Sequence, residues 1–196
     1  MANGNNGEEQ LKPSEMSVDE LPDVRAFEDE FTRGFMKSTE EAADGYYTFE
    51  SGTGEFTMLF PENGTIAEGF YSREENVSES FLVGAESESL ISQFDIQFDR
   101  DASFNENTLL FLEERVGEEL DFKKEVTDKK EMHTAPFTYE DDVIGLAAFI
   151  GNTENKAGLR VILTSACNED SSCDQQEEEV RQEMRTFLET IEFKSK

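Results

Sequence analysis

Alternating apolar and polar positions mark the clearest element of the chain, a β-hairpin between residues 45 and 64. Large apolar side chains occupy every second position on both sides of a glycine-containing turn, at Tyr47, Phe49, Phe56, Met58 and Phe60. Because successive side chains of a strand point to opposite faces, this pattern predicts two half-buried strands joined by a short turn. The same criterion predicts further strands at residues 66–73, 80–85 and 93–99.

Apolar-rich segments in the second half of the chain predict an antiparallel meander. Polar turns at residues 127–130, 140–142 and 151–156 separate these segments. Runs of this length bounded by turn residues are typical of strands. The predicted strands cover residues 120–126, 132–139, 143–150 and 158–165.

Two helices are predicted before the meander. The first carries Val24, Phe27, Phe31 and Phe35 at intervals of three and four, the spacing of one helical face. The second covers residues 103–117. Ser103 and Glu106 have capping-box spacing in its first turn. Its apolar stripe consists of Leu109, Leu112 and Val116. Gly117 suits the left-handed position at its C-terminus. The apolar run at residues 109–112 leaves a short strand open as an alternative.

The best-specified helix is the last one, which lies between the cysteines and the C-terminus. Ser172 and Gln175 have capping-box spacing, and Glu177 can pair with Arg181 one turn later. A short final strand is predicted around residues 191–193. The apolar face of the helix repeats at helical spacing through Val180, Met184, Phe187, Leu188 and Ile191.

Together these elements predict an α+β fold in which helices pack against a central antiparallel β-sheet. Residues 1–22 carry few large apolar side chains and are predicted to form a flexible acidic tether, with a single domain over residues 23–196. The chain holds 46 acidic and 17 basic residues, for a net charge of −29. This charge argues against nucleic-acid binding and against direct adsorption to anionic lipid, since both need clustered lysine and arginine.

The N-terminus and the cysteines both favour an extracytoplasmic location. The polar start, Met-Ala-Asn-Gly-Asn-Asn-Gly, is what remains when a signal peptide and a lipidated cysteine are removed from a lipoprotein, so we expect a cell-envelope protein held to the membrane only by that anchor. A cytosolic protein with a disordered N-terminus is the alternative. No run of apolar residues is long enough for a transmembrane helix.

Cys167 and Cys173 are the only cysteines, and five residues separate them. In a secreted chain, one cysteine at a strand end and another at a helix start predict a structural disulfide. A reduced pair and a redox-active pair are the alternatives. Acidic neighbours at Glu169, Asp170 and Asp174 oppose thiolate formation, and redox motifs favour two intervening residues.

No catalytic, cofactor or metal site is predicted. His133 is the only histidine, and its polar surroundings indicate a surface residue rather than a general base. The segment from Asp99 to Leu110 begins like a calcium-binding EF-hand, but Phe104 replaces the glycine and Leu110 the bidentate glutamate. Glycoside hydrolases use a pair of carboxylates. Because the chain has 46 acidic residues, some pair is expected at a suitable separation by chance, so such a pair does not indicate glycoside hydrolysis.

The opening hairpin, YYTFES…GEFTMLFPENG, and the closing segment, EEEVRQEMRTFLETIEF, resemble the MOG1/PsbP-like fold, including bacterial extracytoplasmic lipoprotein domains. The resemblance covers residues 45–195 and implies an α/β/α sandwich. It does not imply a function, because this fold carries several. The acidic N-terminus and the cysteine pair depart from the family pattern.

The sequence is therefore compatible with three functions. The first is a non-catalytic, lipid-anchored extracytoplasmic domain that binds or supports a protein partner at the cell envelope, acting as a monomer and without a cofactor. The second is a hydrolase that acts on carbohydrate or ester through carboxylates the sequence does not identify. The third is a cytosolic acidic module that binds a basic partner.

Overall fold

A computed structural model describes residues 11–127, 129–139, 143–168 and 177–194 of the chain. The described residues form two antiparallel sheets and four α-helices. The strands are β1 Met36–Ala43, β2 Tyr46–Glu50, β3 Phe56–Pro61, β4 Gly64–Ile66, β5 Ser72–Glu74, β6 Ser78–Glu86, β7 Leu90–Asp99, β8 Lys123–Val126, β9 Lys130–Tyr139, β10 Val143–Asn152, β11 Gly158–Cys167 and β12 Glu192–Phe193. The helices are α1 Arg25–Glu28, α2 Glu30–Arg33, α3 Glu106–Val116 and α4 Glu177–Glu189.

The predicted hairpin forms the centre of a four-stranded sheet with the order β1-β2-β3-β12. Its five alternating apolar side chains are all buried, as the pattern predicts. At the edge, β12 pairs with β3 through Glu192–Thr57 and Phe193–Phe56, which confirms the predicted final strand. The opposite edge is β1, a strand that was not predicted from the sequence.

The larger sheet has the order β4-β6-β7-β11-β10-β9-β8, with β5 beside β6. Its second half is the predicted meander, and β11 continues the sheet by pairing with β7 over ten residues from Gly158–Asp99 to Cys167–Leu90. The predicted strand at residues 66–73 is wrong as a continuous element. A 3-10 helix at Glu68–Phe70 separates β4 from β5 and lets the chain turn away from the sheet.

Helices cover both faces of the larger sheet, and β10 shows this most clearly. Leu146, Ala148 and Ile150 point into a core shared with α4 and the smaller sheet. Ala147 and Phe149 point to the opposite face, where a second cluster includes Leu112 of α3. A strand buried on both faces lacks polar alternation, which accounts for its continuous apolar sequence. The predicted α+β fold, with helices packed against a central antiparallel sheet, is confirmed.

The predicted capping pair at the start of α3 is wrong. The N-cap is Asn105, whose side-chain oxygen accepts a hydrogen bond from the Thr108 backbone N–H at 3.1 Å. Ser103 instead accepts, through its backbone carbonyl, a bond from the Thr108 hydroxyl at 2.7 Å. The C-terminal prediction is confirmed, because Gly117 adopts a left-handed φ of 88° and closes the helix.

The apolar face predicted for α4 is confirmed, since Val180, Met184, Phe187 and Leu188 are all buried. Glu177 and Arg181 form the predicted ion pair. The predicted capping pair at residues 172 and 175 lies outside the described residues.

The single helix predicted from residue 24 is divided in two. Asp29 separates α1 from α2 and caps the second helix by accepting the Thr32 backbone N–H at 2.7 Å. Thr32 is buried, and its hydroxyl accepts the Ile66 backbone N–H at 2.8 Å, which fixes α2 against β4. The apolar spacing therefore predicted the buried face of this segment correctly, but it did not predict the interruption of the helix at Asp29.

Residues 11–22 contain two short 3-10 helices, at Pro13–Glu15 and Val18–Glu20. Pro13 is buried, and Leu21 packs against the main core. The division into a tether at residues 1–22 and a domain at residues 23–196 stays a prediction, because residues 1–10 lie outside the described part of the chain.

Candidate functional site

An open cavity of about 730 Å³ lies beside the turn between β2 and β3. Four segments of the chain form it: Lys12 just before the 3-10 helix at Pro13–Glu15, residues 34–37 at the start of β1, residues 50–54 at the β2–β3 turn, and Tyr71 and Arg73 at the start of β5. Three cationic side chains from separate segments line it, namely Lys12, Lys37 and Arg73. We call this cavity the basic pocket.

The wall of the basic pocket is the β2–β3 turn, which a buried carboxylate holds in place. Glu79 of β6 is 2% exposed. One of its oxygens accepts the Gly52 backbone N–H at 2.8 Å, and the other accepts the Thr53 backbone N–H at 3.0 Å and the Thr53 hydroxyl at 3.1 Å. Successive backbone N–H groups of a turn form a concave anion-binding surface, and here the protein supplies the anion itself.

Tyr71 and Arg73 complete this wall from the segment that follows the 3-10 helix at Glu68–Phe70. The Tyr71 hydroxyl donates to Glu79 at 3.2 Å, and Arg73 donates to the Gly52 carbonyl at 2.5 Å. Burial and the neighbouring Glu79 carboxylate raise the pKa of Tyr71 to about 12, so its hydroxyl stays protonated and remains a donor. A side chain at residue 52 would collide with the Tyr71 hydroxyl, which explains the glycine.

Aromatic rings form the floor of the basic pocket. Phe35 lies 5.2 Å from Tyr71 and 5.5 Å from Phe49, measured between ring centroids. Phe49 is fully buried in the main core. The floor is therefore continuous with the core, so the pocket has a fixed shape rather than one made by surface loops alone.

The electrostatic balance of the basic pocket is positive. Among the residues that the structure describes, Glu50 is the only acidic side chain that lines it, and Glu50 forms an ion pair with Lys194. The hydrogen bond from Lys194, with further attraction from Lys37 and Lys12, lowers the pKa of Glu50 against the opposing effect of burial. The net charge of the side chains at the pocket is +2. It is the sum of four cations and two carboxylates, namely Lys12, Lys37, Arg73 and Lys194 with Glu50 and Glu79.

Within the described residues, no carboxylate lies within 4.0 Å of the Lys12 or Lys37 amine. Cations are scarce in this chain, which has 17 basic residues against 46 acidic ones. Lysine amines and an arginine guanidinium are the usual donors to carboxylate and phosphate groups. The arrangement can therefore hold an anionic group.

The predicted site residues lie elsewhere. Cys167 ends β11 in an exposed position, and Cys173 lies outside the described residues, so the disulfide stays a prediction. Asp99 accepts the Asp101 backbone N–H at 2.8 Å in a local turn, and Asp101 lies 3.6 Å from the Lys156 amine. In the described part of the chain, no group of three or more histidine, cysteine, aspartate or glutamate side chains is placed to hold a metal ion.

His133 is buried, and the prediction of a surface residue is wrong. Its ring stacks on Phe104 with 3.8 Å between centroids, and its Nε2 lies 3.7 Å from Glu131, beyond hydrogen-bonding distance. Burial lowers the pKa of His133, although Glu131 opposes this effect. The polar residues next to His133 in the sequence belong to the β8–β9 hairpin at the edge of the larger sheet. Strand β9 nevertheless places the His133 ring beneath the loop that carries Phe104.

No residue of the basic pocket was predicted from the sequence to belong to a site. Lys12, Lys37 and Arg73 are far apart along the chain, and Glu79 reaches a turn 26 and 27 residues before it. Only the scarcity of cations, 17 against 46 acids, could have drawn attention to each lysine and arginine.

Comparison with known proteins gives two matches and one negative result. The family model described as "Putative lipoprotein YvcA" matches residues 22–192. A Bacillus subtilis (strain 168) protein with the same description is 28% identical over 206 aligned residues, which cover 96% of this chain and 84% of the relative. No solved structure matches the chain. Neither description names an enzymatic activity, and none of the described helices has the length and apolar character needed to span a bilayer.

Proposed function

The chain belongs to the YvcA/Mog1p lipoprotein family, and from this premise we propose that it is a non-catalytic extracytoplasmic domain that binds a protein partner at the cell envelope. Membership in a lipoprotein family is consistent with an extracytoplasmic domain. The proposal adds an N-terminal lipid anchor, the absence of catalysis and the place where the partner binds. That place is the basic pocket.

The observation that carries the proposal is the convergence of Lys12, Lys37 and Arg73 on one cavity of an otherwise acidic protein. Two of these cations have no carboxylate within ion-pair distance in the described residues, so an incoming acidic group displaces no internal partner from them. The rigid aromatic floor limits the loss of conformational entropy on binding, which favours affinity.

Site-specific photo-crosslinking in membranes tests the proposal. A photoreactive residue replaces Leu11, which is exposed and directly precedes Lys12. The lipidated protein is compared with the double variant Lys12→Glu/Lys37→Glu and with the control Lys123→Glu/Lys129→Glu, which changes net charge equally at exposed positions outside the pocket.

We expect one crosslinked species with the unmodified pocket and with the control, and its loss in the pocket variant. A crosslinked species that persists unchanged in the pocket variant would contradict binding through the basic pocket. Incorporation of radiolabelled palmitate into the full gene product tests the anchor separately, and an unlabelled product would contradict it.

A further inference from the structure

A second cavity, of about 150 Å³, lies where α4 meets the ends of the two sheets. Residues of β2, β3, β6, β7, β11 and α4 line it, and none of them belongs to the basic pocket. Its walls are mostly apolar, and the buried side chains among them include Leu163 of β11 and Val180, Met184 and Phe187 of α4. The ring of Phe94 on β7 packs against Phe187 with 4.8 Å between centroids. We call this space the sheet–helix cavity.

One pair of hydroxyl groups interrupts the apolar wall of the sheet–helix cavity. Ser92 of β7 lies opposite Ser165 of β11, and their hydroxyl oxygens are 2.7 Å apart. Ser165 is only 4% exposed. A single hydrogen bond between two hydroxyls uses one of their two O–H donors. Within the described residues neither hydroxyl has another partner, so one donor remains available to a bound molecule.

The charges around the cavity favour an uncharged ligand. In the described part of the chain, Glu183 of α4 is the only charged side chain that lines it, and Glu183 is exposed. Tyr46 is exposed beside it, and burial together with the Glu183 charge raises the pKa of its hydroxyl, which therefore stays neutral. An anion would be repelled by Glu183, and any ion would lose its hydration against the apolar walls.

We propose that the sheet–helix cavity binds an uncharged molecule the size of one aromatic ring, whose single polar atom accepts a hydrogen bond from the Ser92–Ser165 pair. An apolar cavity of about 150 Å³ is large enough to hold a benzene ring. The rings of Phe94 and Phe187 on its wall favour a flat apolar ligand, and the free hydroxyl donor fixes its orientation. The site is separate from the basic pocket, so this inference does not rest on the proposed function.

Phenol and toluene are the probes that test this site, because they have nearly the same size and differ by a hydroxyl in place of a methyl group. Titration of the isotope-labelled protein, followed by amide NMR, reports both the dissociation constant and the place of binding. We expect phenol to bind with a Kd of about 1 mM or below, with shifts concentrated in β7, β11 and α4. Benzoate should bind at least about tenfold more weakly, because its carboxylate is desolvated beside Glu183.

Two variants assign the contacts. Ser92→Ala/Ser165→Ala removes both hydroxyls together and so leaves no unpaired partner. It should lower the affinity for phenol about fivefold relative to that for toluene, the size of effect that one hydrogen bond gives. Ala85→Leu adds carbon atoms to a residue that lines the cavity from β6, so it should abolish binding of both probes. A single cooperative urea transition establishes that each variant is folded. The Lys12→Glu/Lys37→Glu variant, altered only at the basic pocket, should bind phenol as the wild type does.

Failure of both probes to bind the wild-type protein at about 5 mM would overturn the proposal, as would undiminished binding to a folded Ala85→Leu variant. An unchanged ratio of phenol to toluene affinity in the serine variant would overturn the assignment of the hydrogen bond. Benzoate that bound as tightly as phenol would overturn the preference for an uncharged ligand. Each of these results leaves the crosslinking experiment at the basic pocket unaffected, so the two proposals stand or fall separately.

Discussion

Glu79 shows how one buried charge can organise a surface pocket. Four donors satisfy its carboxylate, two from backbone N–H groups of the β2–β3 turn and two from the hydroxyls of Thr53 and Tyr71. A buried charge is tolerated only when it is paired or hydrogen-bonded in this way. The turn that forms one wall of the basic pocket is therefore fixed from within the protein.

Replacing Glu79 with glutamine tests this role. Glu79→Gln keeps the shape of the side chain but removes the charge and places an amide donor opposite groups that also donate. We expect a loss of about 2 kcal/mol in the free energy of unfolding, measured by urea denaturation. Glu74→Gln, at an exposed position on β5, is the control and should change it by less than about 0.5 kcal/mol. An equal effect of the two changes would contradict the role of Glu79.

His133 is predicted to make stability depend on pH. Burial places its pKa below the ordinary value, so the unfolded chain binds more protons between the folded-state pKa and about 6.5. Stability therefore rises with pH across that window and falls as pH decreases below 6.5. The charged groups that face the imidazole are Glu131, on the same strand, and Lys124 on β8.

Replacing His133 with phenylalanine should remove this part of the pH dependence. His133→Phe keeps a ring against Phe104 and introduces no titrating group. Between pH 7 and pH 5, we expect the unfolding free energy of the variant to fall less steeply than that of the wild type. Above about pH 7.5 the two slopes should coincide, since the histidine is neutral in both states. Parallel curves below pH 6.5 would contradict the assignment.

At the scale of elements, burial determines what the sequence could predict. The β2–β3 hairpin was predicted because each strand has one buried and one partly exposed face. The strand β1 was missed because Met36 is its only buried residue, so no alternation appears in its sequence. The break between α1 and α2 was missed because Asp29 acts through a hydrogen bond to Thr32, while the apolar spacing continues across it.

Close packing between β9 and β10 gives a prediction of its own. A Cβ at Gly145 would overlap the ring of Phe137, which packs in the core cluster beside α3. Gly145→Ala should therefore lower the unfolding free energy by about 2 kcal/mol. Gly84→Ala is the matched control, because Gly84 is also in a strand and nothing lies within 4 Å of its Cβ position. Similar urea midpoints for the two variants would contradict this account.

The connection between β11 and α4 is where the disulfide prediction can be tested. The pairing of Cys167 with Cys173 closes a seven-residue loop and would stabilise the fold by about 2 kcal/mol by restricting the unfolded chain. Titration of the unreduced, denatured protein with a thiol reagent should find no free thiol. Two free thiols would contradict the disulfide and weaken the argument for an oxidising compartment.

For the whole molecule, the sequence predicted the fold better than the site. The resemblance to the MOG1/PsbP-like fold was drawn from the two ends of the domain, and the family match over residues 22–192 confirms it. The basic pocket could not be predicted, because Lys12, Lys37 and Arg73 come together only when β1 and β5 take their places beside the β2–β3 turn. Apolar periodicity reports burial, whereas a surface site depends on tertiary contacts between distant segments.

The net charge of −29 makes a final prediction about the whole protein. Its acids repel one another more strongly in the compact state than in the unfolded chain, and added salt screens that repulsion. Salt also weakens favourable ion pairs, but several of these, such as Arg25–Glu86 and Lys156–Asp101, join exposed side chains and contribute little. The repulsive term should therefore prevail.

Raising sodium chloride from about 0.01 M to about 0.15 M shortens the screening length from about 30 Å to about 8 Å. We expect the Tm to rise by about 3 °C, which corresponds to about 1 kcal/mol for a domain of this size. Glu40→Lys/Glu74→Lys lowers the net charge from −29 to −25 at two exposed positions, so its Tm should rise less over the same range. A Tm that falls with salt would mean that the ion pairs, rather than the excess of acids, dominate the electrostatic free energy of this fold.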